Sequence, residues 1–212
     1  MAAHSETVLK VPSKQTQKEK AKDKNRCSWC SGSELYENYH DEEWGAPLKD
    51  PADLFELLIL EGMQAGLSWI TVLNKRKHMQ RLFFGFDMSK LAAAKPEDVE
   101  SWLLDAGIIR HRGKLNAMIG NAKSALDIED FSAFLWQFAP PKPRKSKKFD
   151  VPVQTDESNA MSKALKAKGF RFVGPTICYA FMQSSGMVND HIADCWRYTD
   201  CQKMLKMALE TT

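Results

Sequence analysis

The sequence predicts an all-α fold, and three observations lead there. Apolar residues recur at helical spacing through most of the chain, two of these runs open on a proline at the first helical turn, and the apolar–polar alternation of strands is scarce. Asp50-Pro51 opens the run Leu54, Phe55, Leu57 and Leu58. Lys95-Pro96 precedes Val99, Trp102 and Leu103, and Gly107 can end that helix. Leu115, Met118, Ile119 and Ala122 fall on one helical face, as do Phe131, Phe134, Leu135 and Phe138, and again Ala160, Ala164 and Leu165. Pro140, Pro141, Pro143 and Pro152 mark the longest internal loop, about Ala139 to Ser158, which is expected to cross the surface between two helical lobes. There is no internal repeat.

A chain of 212 residues supports one sizeable core. The reading is a single domain over 26–200, a disordered basic tail over 1–25 and a C-terminal tail over 201–212. Net charge is only +3, a weak argument for a polyanionic partner. Its distribution says more: Lys10 to Arg26 holds seven basic residues against Glu19 and Asp23, and Lys142 to Lys148 holds five with no acid. Such runs serve as solubilising segments, as nuclear targeting signals or as loose phosphate attractors. No stretch approaches the roughly 18 apolar residues of a spanning helix, and no cleavable leader is evident, so the expectation is a soluble intracellular protein. Five cysteines without a secretion signal argue against a disulfide framework and leave metal ligation or plain burial.

Three groups of residues can carry chemistry. The first is thiols and imidazoles near both ends: Cys27, Cys30 and His40 early, His191 and Cys195 late. Zinc takes four such donors, and on a helix His191 and Cys195 would share a face. Spacing alone favours the Cys27-x-x-Cys30 pair over His40, and buried free thiols remain the alternative. The second is Glu61, which ends an apolar run and precedes Gly62, Gly66 and Trp69; it reads as a helix-edge acid or as a buried acid beside an aromatic platform. The third is Lys168 to Thr176. A helix ending near Gly169, then Val173-Gly174, then a helix opening on Pro175 is the helix-hairpin-helix pattern of sequence-independent DNA binders, although any glycine-containing helical corner imitates it. In that pattern amides opening the second helix point at a phosphate, and Pro175 has none, leaving Val173, Gly174 and Thr176 as donors.

Read together, these segments resemble the type I 3-methyladenine DNA glycosylases, a helix-hairpin-helix family. The resemblance rests on Arg26-Cys27-Ser28-Trp29, Tyr39 to Gly45, Leu60 to Leu73, Asp105 to Lys114, Phe172 to Gln183 and Val188 to His191, and it spans about Arg26 to Tyr198. It implies a helix-hairpin-helix glycosylase fold in which one structural zinc, held by Cys27, His40, His191 and Cys195, joins the N- and C-terminal segments and leaves Cys30 a bystander. It also implies that Glu61 and Tyr39 contact the edge of the excised base and that Trp69 stacks on its face. Trp44 walls the pocket or is plain core. The implied activity is hydrolysis of the N-glycosidic bond of 3-methyladenine, with 3-methylguanine as a further candidate, in alkylated double-stranded DNA by a monomer. The expected products are free base and an abasic site, and the expected compartment is the cytoplasm or a nucleus. Related enzymes with lyase activity place a Lys after the hairpin glycine; here Pro175-Thr176-Ile177 follows Gly174, so plain hydrolysis is expected. Asn189 or Asp190 lies near the register of the superfamily's catalytic Asp, with neither expected to be the main acid or base.

Overall fold

The computed structural model describes residues 24–142 and 151–210. Among the described residues there are ten α-helices and no strand: α1 (Glu34–Glu42), α2 (Pro51–Gln64), α3 (Trp69–Leu82), α4 (Met88–Ala92), α5 (Pro96–Leu104), α6 (Arg112–Leu126), α7 (Phe131–Trp136), α8 (Asp156–Ala167), α9 (Pro175–Ser184) and α10 (Tyr198–Glu210). Polar caps fix where they begin. Asp50 Oδ1 accepts from the amides of Ala52 and Asp53 at 2.9 and 3.1 Å, with Pro51 in the first turn of α2. Thr155 and Ser158 exchange hydrogen bonds ahead of α8 as a capping box.

Helix α2 is the axis of the fold, because every residue from Leu54 to Met63 is buried, Glu56 and Glu61 included. A helix buried on all sides needs partners on all sides, and α3, α6, α7 and α9 supply them. Two local devices let them approach. A Cβ on Gly62 would stand 3.3 Å from the carbonyl oxygen of Phe172, so the turn between α8 and α9 rests directly on α2. Lys114 of α6 is buried and donates to the carbonyls of Met63 and Ala65 at 2.8 and 2.6 Å, closing the C-terminal end of α2 with a positive charge.

The all-α expectation holds, and no helix among the described residues is long and apolar enough to cross a membrane. The expected boundaries change in three places. Residues 201–212 are not simply a tail: α10 runs to Glu210 and buries Cys201 and Leu205, one turn apart on its inner face. The expected 139–158 loop ends sooner, since α8 begins at Asp156, and its residues 143–150 lie outside the described residues. The basic tail over 1–23 also lies outside them, whereas Asn25 is tied down by a bond from its side chain to the Asp194 carbonyl at 2.8 Å. Helices α1, α3 and α4 had no expectation at all.

Gly186, after α9, has φ +70°, and a Cβ there would fall 2.4 Å from the carbonyl carbon of Ala46. Gly186→Ala should therefore cost about 2–4 kcal/mol. Urea denaturation reads this directly, and an unchanged midpoint would contradict the contact.

Candidate active site and metal centre

A cavity of about 560 Å³ opens between the segment Asn25–Trp29, helix α1, the last turn of α2 and helix α9. Glu61 lies on its wall, 3% exposed, where the buried run of α2 meets α9. Its Oε1 accepts from Ser184 Oγ at 2.8 Å, while Oε2 is buried with no hydrogen-bond partner among the described residues. Burial pushes the Glu61 carboxyl up to about 8, opposed only by the Ser184 hydrogen bond. The group is therefore mostly protonated near neutral pH. Tyr39 of α1 is fully buried beside it; desolvation, then the nearby Glu61, hold its phenol well above the ordinary value. Its ring meets that of Trp69 at 5.3 Å, tilted by 46°, and the Trp69 indole N–H is buried without a partner among the described residues. An apolar, aromatic cavity holding a free carboxyl oxygen and a free indole donor is built to receive a planar heterocycle.

Sequence reasoning missed several groups on this wall. Trp29, 36% exposed at the mouth, packs edge-on against Trp44 at 4.9 Å and against Tyr36 at 5.1 Å. It was visible only as part of a matching segment, since nothing in its spacing marks a pocket. Gln183, likewise missed, lines the cavity, and so does Asp190, which the sequence had already raised. Asn189 does not: its side chain donates to the Tyr198 carbonyl and to Gln202, tying the turn after α9 to α10.

Behind Trp44 sit Cys27, His40, His191 and Cys195, all buried, whose ligand atoms lie within 4.8 Å of one another. The Cys27 Sγ stands 3.6 Å from His191 Nδ1, and Cys195 Sγ stands 3.5 Å from both His191 Nδ1 and His40 Nε2. Bonds of roughly 2.3 Å to sulfur and 2.0–2.1 Å to nitrogen at tetrahedral angles put neighbouring S and N donors about 3.5 Å apart, so the four fit one ion. The Cys195 thiol is held well below its usual value by hydrogen bonding from Cys27, then from His191 and His40, and the same pairing pushes Cys27 up. His191 and Cys195 come together on a turn, closed by the Cys195 amide on the Ile192 carbonyl, rather than on the helix their spacing suggested. Cys30 is outside the cluster, its thiol donating to the Cys27 carbonyl at 3.0 Å.

The imidazoles are aimed by their other nitrogens. His40 Nδ1 lies 2.9 Å from Asp41 Oδ1, and His191 Nε2 lies 3.0 Å from the Trp44 carbonyl. Burial opposes the charge on Asp41, but hydrogen bonds from Arg26, His40 and Trp196 outweigh it and hold the carboxyl down to about 2. Trp44 thus serves both places: it lines the cavity, and its carbonyl meets His191 of the cluster.

The hairpin residues lie where α8 turns into α9. Gly169 has φ +93°, Phe172 has φ +57°, and Gly174 is the N-cap of α9 with no side-chain bond to its amides. Val173 is buried, its carbonyl accepting from Ser162 Oγ at 2.6 Å. The opening amides of α9 have no partner within the helix and are available to an anion. Lys163, Lys166, Lys168 and Arg171 are exposed around this turn.

The profile of the methyladenine glycosylase family matches residues 29–198. The DNA-3-methyladenine glycosylase 1 of Escherichia coli K12 is 51% identical over 180 residues, which is 82% of this chain and 96% of that protein. A crystal structure of a 3-methyladenine DNA glycosylase I superposes with a TM-score of 0.79 at 50% identity, over 81% of this chain and 98% of that one. The Staphylococcus aureus 3-methyladenine DNA glycosylase I, solved for the structural basis of 3-methyladenine recognition, has a TM-score of 0.79 at 35% identity, over 82% and 96%.

The raised carboxyl of Glu61 has a stability consequence. Between about pH 4.5 and 8 the folded chain keeps a proton that the unfolded chain has lost, so this group's contribution to stability falls as pH rises through that window. Glu61→Gln removes the liability. Thermal melts should show the variant gaining on the parent from pH 5 to pH 8 and no further above it; a constant difference across that range would mean the carboxyl is not held protonated.

Proposed function

The chain belongs to the methyladenine glycosylase family, as a type I 3-methyladenine DNA glycosylase with a role in DNA repair, and from that premise we propose how its own residues act. The observation that carries the reading is the free Oε2 of Glu61, buried in an aromatic cavity and mostly protonated until a cation arrives. Adenine methylated at N3 is cationic and leaves as a neutral base, so its glycosidic bond needs little proton donation. That base enters the cavity flipped from duplex DNA, at a cost of a few kcal/mol that stacking on Trp69 helps offset. Its positive charge favours the ionised form of Glu61, which accepts from the exocyclic amino group, with Tyr39 on the same edge. Unmethylated adenine brings no charge to offset the desolvation of the carboxylate and has a poorer leaving group. Guanine presents a carbonyl oxygen where adenine presents the amino donor, so 3-methylguanine faces two acceptors at Glu61 and is the poorer substrate.

Outside the cavity, the amides of Val173, Gly174 and Thr176 take a backbone phosphate, helped by the exposed cations around the turn. Leu67, 43% exposed between the cavity residues Gln64 and Trp69, is an apolar group placed to fill the gap left in the base stack. Among the described residues the cavity wall includes no lysine, and Lys114 is spent on the end of α2, which supports hydrolysis without a Schiff base. The metal is zinc, held by Cys27, His40, His191 and Cys195. Four protein donors leave no position for water, so the ion supplies structure and no chemistry.

Chromatography of bases released from methylated DNA tests the activity: free 3-methyladenine should appear, 3-methylguanine more slowly, and Glu61→Gln should slow release by roughly 10²-fold or more. No release at high enzyme would sink the reading. For the metal, Cys195→Ala should lose bound zinc and melting temperature together, and Asp41→Asn should weaken zinc in chelator competition by roughly 10–100-fold. Full stability with loss of turnover alone in Cys195→Ala would contradict a structural ion.

A further inference from the structure

Helix α9 carries two of the contacts proposed above. Its opening amides face the phosphate in the reading above, and its last residue, Ser184, holds the carboxyl that receives the base. The sugar hangs from the base and so stands at the cavity, to which α9 presents Ala180 and Gln183, three residues apart on one side of the helix. Of these two, only Gln183 has a polar side chain, and its amide is not free to turn. Its Nε2 donates to Asp190 Oδ2 at 2.9 Å, and the same oxygen accepts from the Tyr179 hydroxyl at 2.6 Å. Asp190 is 3% exposed and lines the cavity beside Gln183. An oxygen that accepts twice dictates which end of the amide faces it, so the Gln183 carbonyl is turned away from Asp190.

We propose that the Gln183 carbonyl, held in place by Asp190 and Tyr179, accepts a hydrogen bond from the water that attacks the sugar, making Gln183 a catalytic residue and Asp190 its positioning residue. This rests on the glycosylase reading of the same cavity. In the step itself the bond from the sugar C1′ to the base nitrogen breaks with its electron pair on the departing base, which becomes neutral. The water oxygen bonds to C1′, and the proton it sheds passes to solvent water in the open cavity. Gln183 takes no proton; it fixes where the water stands and which lone pair faces C1′.

The test separates chemistry from binding, using the full chain with its metal. Gln183→Ala should lower the single-turnover rate of 3-methyladenine release by roughly 10-fold or more, since one positioned partner is lost. The concentration giving half-maximal rate and the affinity for free 3-methyladenine read by tryptophan fluorescence should stay at parental values, with a cooperative melt showing that the fold is kept. Tyr179→Phe removes a donor to Asp190 Oδ2 without touching a residue of the Cys/His cluster, and should give a smaller fall in the same rate with base affinity unchanged. An unchanged rate in Gln183→Ala would overturn the proposal. So would a loss of free-base affinity parallel to the rate, which would place Gln183 on the base. A parental enzyme that releases no base at all fails the glycosylase reading instead, a result distinct from either.

Discussion

A carboxyl group in the middle of a wholly buried helix is the constraint on which the rest of the structure turns. Helix α2 could form the axis of this bundle with a leucine at position 61 and pack more favourably, since an isolated buried acid with one hydrogen bond is a net cost. The molecule offsets that cost across the surrounding core rather than at the group itself. Its hydrogen-bond partner comes from α9, the helix that the α8–α9 turn opens, and Gly62, beside Glu61, lets that turn settle onto α2. The cavity carboxyl and the turn into α9 are therefore placed by one helix–helix contact.

The Cys/His cluster plays a different part. Cys27 and His191 are separated by 164 positions, and the cavity wall from Asn25 to Trp29 is chain immediately next to the first ligand. The four donors draw the N-terminal wall up against α1 and the turn after α9. Asp41 extends the clasp outward: Arg26, itself on the cavity wall, holds the carboxylate through two 2.9 Å contacts while that carboxylate aims His40. The cavity wall and the Cys/His cluster are thus built from the same stretch of chain.

Legibility in the sequence followed the range of the forces involved. Helices α2 and α5 were readable because proline and an apolar period act within a few residues, and so was the turn into α9. Helix α1 was not, since only Tyr39 and His40 of its nine residues are buried and its polar face masks the period. Helix α10 was misread as tail for a similar reason: Cys201 and Leu205 are buried only because the rest of the fold is there to cover them. Local spacing pointed to Cys30 as a ligand, whereas the pairing that brings His191 to Cys27 leaves no local trace; only the resemblance named the four donors. Glu61 was legible as an unusual acid, but its free oxygen and raised proton affinity depend on the depth of α2, and Gln183 gained significance only when Asp190 was seen to hold it.

Helix α9 also acts as a gauge. From its opening amides to Ser184 it is about 15 Å long at roughly 1.5 Å per residue. The reading above puts a phosphate at one end and a base at the other. Each residue of an α-helix turns the next side chain by about 100°, so inserting or deleting one residue anywhere in α9 would swing Ser184 and Gln183 off the cavity while leaving the opening amides in place. A substitution in this helix alters one contact; a change in its length shifts all that follow it.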